Sequence, residues 1–541
     1  MAEISLVLII LFLYLGITLL AGIALGRRPS SGREFFNTEM PWWAVCLSIV
    51  ATETSTLTVI SVPGLAYAGD CSFLQLAAGY IVGRTAAAVW LLPQYFKGRV
   101  STAYELLLQR SGREMRTTAS LLFIITRLLA DGVRLFAAAI PLSLLTGWSI
   151  GLCIVASAAV TTAYAAFGGI RSVVRMDVVQ TSVYLLGAVV CVYYLMTILP
   201  NGPAQILEGA ARLGKFRVID LGATKPLPLF FQRPYTLAAG LFGGMFISLA
   251  SHGTDHLIVQ RLLTCRTLRR AQAALICSGL FVFFQFALFL LLGVLLYHFY
   301  GDAAQIGDQV FPRFIVEELP AIPAGLAVAA LFAAAMSTLS SSLNSLASST
   351  WWDLTADLKI IPPRQEVGFL RLLSLFWGLM LTGAALLFRK SVSPVVELGL
   401  TIASFTYGGV LGVFLLSLRR GRPAQQLLFS LWSSLVLMIP FVAASQSVKA
   451  AIGAGAVLFG FLVGRSASWY GRILLLIVAV ISWGINGKTP NLAWTWYVPL
   501  GTAFAVTAAY VYAGGLKILV KIRALRQHRR ESESGRRGLR E

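Results

Sequence analysis

The sequence predicts an all-α polytopic membrane protein with about fifteen transmembrane helices. Hydrophobic residues make up 57% of the 541 residues and charged residues only 12%, against about 25% charged residues in ordinary soluble domains. Mean hydropathy is +0.77. Apolar runs of roughly 20 residues, long enough to cross the hydrocarbon core, recur along the whole chain. The predicted spans are 4–26, 41–67, 73–97, 117–145, 149–168, 177–199, 234–260, 272–299, 322–350, 368–388, 394–418, 426–444, 448–464, 472–486 and 497–516.

The basic residues are distributed unevenly around these spans. The formal net charge is +21, which by itself suits a nucleic-acid-binding protein. With loops assigned alternately to the two sides, however, most Lys and Arg residues fall on one side, as the positive-inside rule requires of a plasma (inner) membrane protein. We therefore predict an N-terminus outside, a C-terminus in the cytoplasm, and no nucleic-acid partner. Residues 521–541 are predicted to form a basic cytoplasmic tail beside anionic headgroups.

Two of the predicted spans are interrupted by polar residues, Gly or Pro. The second span contains Ala51-Thr-Glu-Thr-Ser55 and then Pro63-Gly64, and the seventh contains Gly243-Gly244 and then Ser251-His-Gly-Thr-Asp255. A break in a membrane helix leaves backbone groups that need new partners. Interruptions at matching places in two halves of a chain point to a transporter's binding site. The alternative is that both are simple kinks, because Gly and Pro are common in membrane helices.

The ninth predicted span contains the hydroxyl cluster Ser337, Thr338, Ser340, Ser341 and Ser342. Ser337, Ser340 and Ser341 share one helical face. Together with carbonyls near Ala51, Thr54 and Ala334, the hydroxyls of Ser337 and Thr338 would provide neutral oxygens suited to a monovalent cation. The alternative is close helix packing, for which Ala and Ser are also used in membranes.

Two acidic residues lie inside or beside predicted spans, where an unpaired charge is costly. Asp177 can pair with a nearby Arg, or join Ser337, Ser340 and Ser341 as the charged ligand of a second cation. Glu53 lies at the break of the second span. Its possible roles are to bind a cation, contact a solute, accept a proton or form an internal ion pair.

Other polar groups within the spans are candidates for contact with a solute. Arg127, Asp131 and Arg134 share a face of the fourth span, either as an intrahelical ion ladder or with positive charge left for a carboxylate. Glu397, Thr401 and Ser404 form a polar face on the eleventh span. The substrate-binding candidates are Glu53, Gln75, Arg127, Arg134, Gln285, Thr401 and Ser404.

Five stretches together resemble the sodium:solute symporter family, which includes sodium/glucose, sodium/proline, sodium/iodide and sialic-acid carriers. They are ATETSTLTVISVPGLAY (51–67), YAAFGGIRSVVRMDVVQ (164–180), GTDHLIVQRLLTCRTLRRAQ (253–272), AALFAAAMSTLSSSLNSLASSTWWDL (329–354) and ELGLTIASFTYGGVLGVFLL (397–416). The sequence departs from the family in placing His256 where many members have Gln. It also lacks the hexose-carrier residues, with Ser72 and Val282 at those positions.

The resemblance implies a leucine-transporter-like fold with a 5+5 inverted-repeat core and additional N- and C-terminal helices. On that reading residues 1–40 form an extra helix and loop, 41–420 the ten-helix core, 421–520 accessory helices and 521–541 the tail. It also implies sites for sodium, the coupling ion. The first maps onto Ala51, Thr54, Ala334, Ser337 and Thr338, and the second onto Asp177, Ser337, Ser340 and Ser341.

The predicted function is sodium-coupled symport of a small organic solute by alternating access, with room for two sodium ions per cycle. The intramembrane arginines favour an organic acid over a sugar. We expect no organic cofactor, and a monomer or loose oligomer in the lipid bilayer. A proton-coupled symporter using Glu53 and a transporter-derived sensor remain alternatives. An enzyme is not expected, because the four His residues show no Ser/His/Asp or HExxH pattern.

Overall fold

The computed structural model describes most of the chain. The described residues are 2–25, 29, 31–200, 202–222, 227–301, 307–355, 361–362, 365–388, 395–419, 421–442, 449, 453–458, 469–486 and 491–537. No strand occurs among them, so the predicted all-α class is confirmed for this part of the chain.

The helices of the described residues follow in chain order. They are α1 (Ala2–Leu25), α2 (Gly32–Phe36), α3 (Trp42–Glu53), α4 (Thr56–Ala68), α5 (Leu74–Ala86), α6 (Leu92–Gly98), α7 (Glu105–Ser111), α8 (Arg113–Thr146), α9 (Ile150–Ile198), α10 (Gly202–Arg212), α11 (Leu227–Gln232), α12 (Gly244–Gly253), α13 (His256–Leu263), α14 (Leu268–Tyr300), α15 (Gly307–Glu317), α16 (Ala321–Ser349), α17 (Glu366–Phe388), α18 (Val395–Ser417), α19 (Ala424–Met438), α20 (Trp469–Ile485) and α21 (Tyr497–Arg537). Segments Ala87–Leu91, Ala239–Gly243 and Thr350–Thr355 are π-helical, and Ile439–Phe441 and Trp494–Trp496 are 3-10 turns.

The outer surface of the bundle is apolar, as lipid contact requires. Leu379 and Leu387 on α17 are 74% and 83% exposed, and Phe284 on α14 is 69% exposed. Among the described residues, seven helices are long and apolar enough to cross a membrane, or eight with one bent pair counted as a single span. The total of fifteen spans stays a prediction, and the predicted span 448–464 lies largely outside the described residues.

Both predicted interruptions are present as helix breaks. Helix α3 ends at Glu53 and α4 begins at Thr56, with a bend of 67° between them. Helix α12 ends at Gly253 and α13 begins at His256, where the Asp255 side chain accepts a hydrogen bond from the Leu257 amide. The carboxylate thus replaces the intrahelical acceptor that the first turn of a helix lacks.

The fifth and sixth predicted spans form one element, α9, which bends at Gly169. This glycine has a φ of +60°, and a β-carbon there would lie 2.6 Å from the Phe35 carbonyl oxygen. Only glycine meets both conditions without strain. The two arms of α9 therefore join directly, with no loop between them.

Helix α16 lies at the centre of the bundle, packed against α1, α3, α8, α9 and α17. All five hydroxyl residues of its cluster are buried. In a membrane helix such hydroxyls must bond within the protein, because lipid offers no partner.

Helices α5 and α12 approach each other closely along a glycine seam. A β-carbon would lie 2.5 Å from the Leu241 carbonyl oxygen at Gly79, and 2.2 Å from that of Met245 at Gly83. On α12, a β-carbon at Gly244 would lie 2.5 Å from the Leu76 carbonyl oxygen of α5. The seam lets the two backbones touch, which fixes their relative position.

The segment after α10 folds back over the ends of α4 and α14. Lys215 donates from Nζ to the Tyr67 carbonyl at 2.7 Å and lies 3.7 Å from the centre of the Tyr297 ring. Arg217 pairs with Asp70 at 2.7 Å. Burial raises the pKa of Asp70, but donors from Ser72 and Arg217 outweigh it and hold that pKa below its usual value. These contacts tie the segment to the bundle.

Candidate functional site

The hydroxyls of Ser337 and Thr338 face the end of α3, where the helix breaks. Ser337 Oγ donates to the carbonyl oxygens of Ala51, at 2.9 Å, and Ala334, at 3.0 Å. Thr338 Oγ1 lies 3.3 Å from the Thr52 carbonyl oxygen and 3.2 Å from that of Ala334. The last carbonyls of a helix have no intrahelical donor. The structure thus brings four of the five predicted residues of the first cation site into direct contact.

One further residue belongs to this cluster, and one predicted residue has its side chain bonded elsewhere. The Thr52 carbonyl takes part although the prediction named only its neighbours. Thr54, the fifth predicted residue, is present with its Oγ1 accepting from Gln285 Nε2 at 2.7 Å. The oxygens gathered here are neutral and buried, the kind that can replace part of a small cation's hydration shell.

The residues of the second predicted cation site are bridged by an arginine. Arg261 Nη2 lies 3.6 Å from Asp177 Oδ2 and donates to Ser341 Oγ. Asp177 Oδ2 also accepts from Ser48 Oγ at 2.5 Å, whereas Asp177 Oδ1 has no hydrogen-bond partner among the described residues. Ser340 donates back to its own helix, to the Ser337 carbonyl at 3.1 Å. The positive charge beside Asp177 in this structure is therefore the guanidinium of Arg261, a residue of the protein itself.

Sequence reasoning missed Arg261 and Ser48. The predicted seventh span ends at residue 260, so the sequence prediction places Arg261 just outside a span. The signal was its place in the stretch 253–272, five residues after His256 at the start of α13. That helix keeps Arg261 fully buried.

A cavity of about 140 Å³ is lined by residues at the α3–α4 break, including Glu53 and Ser55. One part of its wall is polar, including Glu53, Ser61, Arg134, His252, Ser404 and Tyr407. The rest is apolar and aromatic, including Leu57, Phe73, Tyr80, Ile247, Phe286 and Trp494. Such a mixed surface suits a small solute with one polar end and one apolar end.

Glu53 forms an internal ion pair, one of the four roles the sequence left open. Its Oε2 accepts directly from Arg84 Nη2, and His252 Nε2 lies 3.7 Å from the same oxygen. Arg84, on α5, is fully buried and donates from Nη1 to Ser278 Oγ at 2.6 Å. Glu53 nevertheless keeps 20% of its side chain exposed, towards the cavity.

The predicted ion ladder on α8 is present. Its two arginines differ in their partners and in their exposure. Arg127 is 3.7 Å from Asp131 and donates to Asp255 at 2.8 Å and to Tyr407. Tyr407 in turn donates to Asp255 at 2.6 Å. Arg134 pairs with Asp131 at 2.8 Å and is 19% exposed, at the cavity wall. Both arginines line the cavity, but Arg127 is 3% exposed and contacts three protein partners, whereas Arg134 contacts Asp131 alone in this ladder and keeps 19% exposure.

The remaining candidates do not line the cavity, apart from Ser404. Gln75 donates to the Tyr235 carbonyl at 2.9 Å, and its other end accepts from the Asp220 amide. Gln285 lies between Thr54 and Tyr184, accepting from the Tyr184 hydroxyl at 3.0 Å. Thr401 is half-buried on α18 and away from the cavity wall. The side chain of Glu397 lies outside the described residues.

Comparison with known proteins shows which family and which proteins this chain resembles. A model of the sodium:solute symporter family matches residues 35–436. The chain is 29% identical to the sodium/iodide cotransporter of Homo sapiens over 416 residues, 74% of this chain and 63% of that protein. It is 30% identical to a sodium-dependent multivitamin transporter of Oryctolagus cuniculus over 386 residues, 69% and 59% of the two chains.

A mouse relative, sodium-coupled monocarboxylate transporter 2 of Mus musculus, is 27% identical over 413 residues, 72% of this chain and 64% of its own. The chain thus spans about three fifths of the length of the curated relatives it matches. Among solved structures, a sodium-coupled sialic acid symporter in its outward-open state superposes with a TM-score of 0.75 at 24% identity. The alignment covers 94% of this chain and 98% of that one. The shared fold is leucine-transporter-like.

The Glu53–Arg84 pair generates a stability prediction. Arg84→Met keeps an apolar stem of similar length but leaves Glu53 without its counter-charge. We expect the free energy of unfolding to fall by about 3–5 kcal/mol, observed as a lower thermal midpoint of the purified protein in detergent. Adding Glu53→Gln removes both charges and should restore part of the loss.

The matched control is Arg212→Met, which breaks the Arg212–Glu208 pair on α10, where the side chains are 78% and 63% exposed. That change should stay within about 1 kcal/mol. Equal midpoints for Arg84→Met and Arg212→Met would show that the buried pair has no special place in the fold.

Proposed function

The chain belongs to the sodium:solute symporter family, as its motifs predicted, and from this premise we propose that it imports a small organic anion together with sodium. The observation that supports this most directly is the contact of Ser337 and Thr338 with the broken end of α3. It gathers neutral oxygens next to a cavity whose wall includes an arginine. Cation and solute would then bind on two sides of one helix break.

We further propose the finer architecture that the sequence predicted. It comprises fifteen spans, a ten-helix inverted-repeat core over 41–420, accessory helices to 520, an external N-terminus and a cytoplasmic C-terminus. The two helix breaks, at Glu53–Thr56 and Gly253–His256, lie in the second and seventh predicted spans, and this separation by five spans supports the proposal of two inverted repeats. The distribution of Lys and Arg supports the orientation.

Sodium drives solute entry in this scheme by favouring one conformation. A ligand shifts an equilibrium between two states only by its differential affinity for them. Sodium bound by Ser337 and Thr338 would bridge α16 to α3, and so stabilise the arrangement in which α4 frames the cavity. Each sodium ion moving inward down 100 mV contributes about 2.3 kcal/mol.

The direct test is uptake by the purified protein in liposomes. With sodium outside, a panel of radiolabelled monocarboxylates should include at least one that accumulates, and its entry should drive a matching sodium influx. Replacing sodium by choline should abolish accumulation. Accumulation in choline with a proton gradient would instead support the proton-coupled alternative.

The first sodium site generates a prediction about sodium dependence. Ser337→Ala or Thr338→Ala removes one hydroxyl ligand, and hydrogen bonds or contacts to a charge contribute about 1.5–3 kcal/mol. We expect the sodium concentration for half-maximal uptake to rise about tenfold or more. Ser434→Ala is the matched control, because it removes a buried hydroxyl that donates to the Gly501 carbonyl at 2.7 Å on a different helix pair. Unchanged sodium dependence in both site variants would refute the assignment.

The second sodium site requires a movement of Arg261, because its guanidinium occupies the space between Asp177 and Ser341. We propose that a second ion binds Asp177, Ser337, Ser340 and Ser341 only in a conformation in which Arg261 has withdrawn. The unpartnered Asp177 Oδ1 is the oxygen it would meet first.

Asp177→Asn tests this second ion. Because the Hill coefficient cannot exceed the number of sites, it should fall from about two towards one for sodium in this variant. The control is Asp353→Asn, another buried acid, which accepts hydrogen bonds from Thr102 at 2.6 Å and Ser349 at 2.9 Å away from both sites. A coefficient that stays at two in Asp177→Asn would rule out Asp177 as a ligand of the second ion.

The solute class is proposed from Arg134. Its ion pair with Asp131 uses one nitrogen, and the group lines the cavity. A guanidinium suits a carboxylate better than it suits a sugar hydroxyl. Two of the relatives named above are carriers of anions, iodide and monocarboxylates.

Arg134→Met should raise the KM for a transported monocarboxylate by about tenfold to a hundredfold, because charge-assisted hydrogen bonds are lost. Arg134→Lys should recover part of the affinity. Arg217→Met serves as control, since that arginine pairs with Asp70 outside the cavity. If Arg134→Met leaves the KM unchanged, the carboxylate is bound elsewhere or the solute is not an anion.

A further inference from the structure

The cavity wall includes a residue from beyond the region that the family shares. The family model ends at residue 436, whereas Trp494 lines the cavity and is 6% exposed. It lies in the 3-10 turn Trp494–Trp496, between α20 and α21. A large ring at this position takes up space that a solute would otherwise occupy.

The backbone around Trp494 is fixed on two sides. The Ala493 amide donates to the Phe231 carbonyl at 2.9 Å, and the Leu492 amide donates to that of Phe441 at 3.2 Å. Next to the ring, the Thr495 carbonyl oxygen lies so close to Gly243 that a β-carbon there would be 2.6 Å away. The turn therefore has little freedom to withdraw.

The neighbouring Trp496 faces a different direction. Its ring packs against Phe231, with centroids 5.2 Å apart, and against Phe242 at 6.4 Å. It does not line the cavity. The two tryptophans share one turn and one chemistry, but only the first meets the cavity.

Besides Trp494, the cavity wall includes aromatic residues of the core, among them Phe73, Tyr235 and Phe286. Phe73 contacts the rings of Tyr235, at 5.3 Å, and Phe286, at 5.1 Å. All of these are large rings, so each side chain takes up space at the wall of the cavity. Removing the ring of Trp494 is the change that enlarges it without altering the family core.

We propose that Trp494 is a specificity-determining residue, which limits the size of the apolar body that the cavity admits. The accessory region after residue 436 thereby selects among solutes that the core alone would accept. The solute class is a monocarboxylate with a short apolar chain, and this part of the inference rests on the proposed function. The size limit that Trp494 sets does not rest on the proposed function.

The test measures access to the cavity without sodium or solute. Ser61→Cys places a thiol on the cavity wall, on α4. The purified protein in detergent is treated with methyl methanethiosulfonate or benzyl methanethiosulfonate, two uncharged reagents of different size. Fragment-ion mass spectrometry that places the adduct on residue 61 gives the modification rate, because Cys46 and Cys71 lie between the same two basic residues, Arg33 and Arg84.

With Trp494 present, the methyl reagent should react and the benzyl reagent should react slowly. In Ser61→Cys/Trp494→Ala the benzyl rate should rise about tenfold or more, the range by which apolar pockets discriminate between sizes. Ser61→Cys/Trp496→Ala is the matched control and should behave as the parent does. Trp494→Leu, a smaller cavity change, should give an intermediate rate and covers the case in which the alanine variant does not fold.

Three results would overturn the proposal: an unchanged benzyl rate in the Trp494 variants, an equal rise in Trp496→Ala, or fast benzyl reaction in the parent. In liposomes, the Trp494 variants should shift uptake from acetate and butyrate towards hexanoate. If no carboxylate is transported by any variant, the proposed function fails while the labelling result still decides the role of Trp494.

Discussion

The break between α3 and α4 is the constraint on which the rest of the site depends. Inside a membrane, the carbonyls released by a helix break must find donors within the protein. Here the donors to Ala51 and Thr52 are the hydroxyls of Ser337 and Thr338 on α16. A hydroxyl can rotate its hydrogen away and offer a lone pair. The same atoms can therefore close the break by hydrogen bonds or surround a cation, with no large movement of the backbone.

The buried charges follow a common arrangement. Each helix break has an acid, Glu53 in one and Asp255 in the other, and each acid pairs with an arginine on an unbroken helix, Arg84 on α5 and Arg127 on α8. A third pair, Asp177 with Arg261, joins α9 to α13. Buried pairs are costly to assemble but far more costly to separate. They are thus better suited to fixing how the broken helices meet their neighbours than to holding a solute that must leave.

Much of this architecture follows from the sequence, because hydropathy and helix-breaking residues act locally. The spans, the two interruptions and the face shared by Ser337 and Ser341 all depend on spacing along one segment. Pairings between distant segments have no such local signal. Gln75 and Gln285 were candidates for a solute because they are polar residues in apolar runs, yet their partners, Tyr235 and Thr54, lie elsewhere in the chain.

Arg261 and Trp494 show the same limit in the opposite case, because the sequence does not mark either of them as a candidate. Each has an unremarkable sequence context, one at the end of a predicted span and the other in a connection after the family core. Their positions, beside Asp177 of the predicted second cation site and at a cavity wall, arise only when remote helices pack. Arg84 belongs with them, since a single arginine in a span cannot reveal that its partner is Glu53.

The glycine seam between α5 and α12 has a consequence for protein engineering. Those helices hold Arg84 and His252, the two groups that approach Glu53, and the seam leaves no room for a side chain at Gly79 or Gly83. A combinatorial library for new solutes should therefore vary the walls contributed by α4, α18 and the Trp494 turn, and leave the seam untouched. Residues of the other walls are thus open to redesign. At Gly79 and Gly83, by contrast, even one added methyl group would push the two backbones apart.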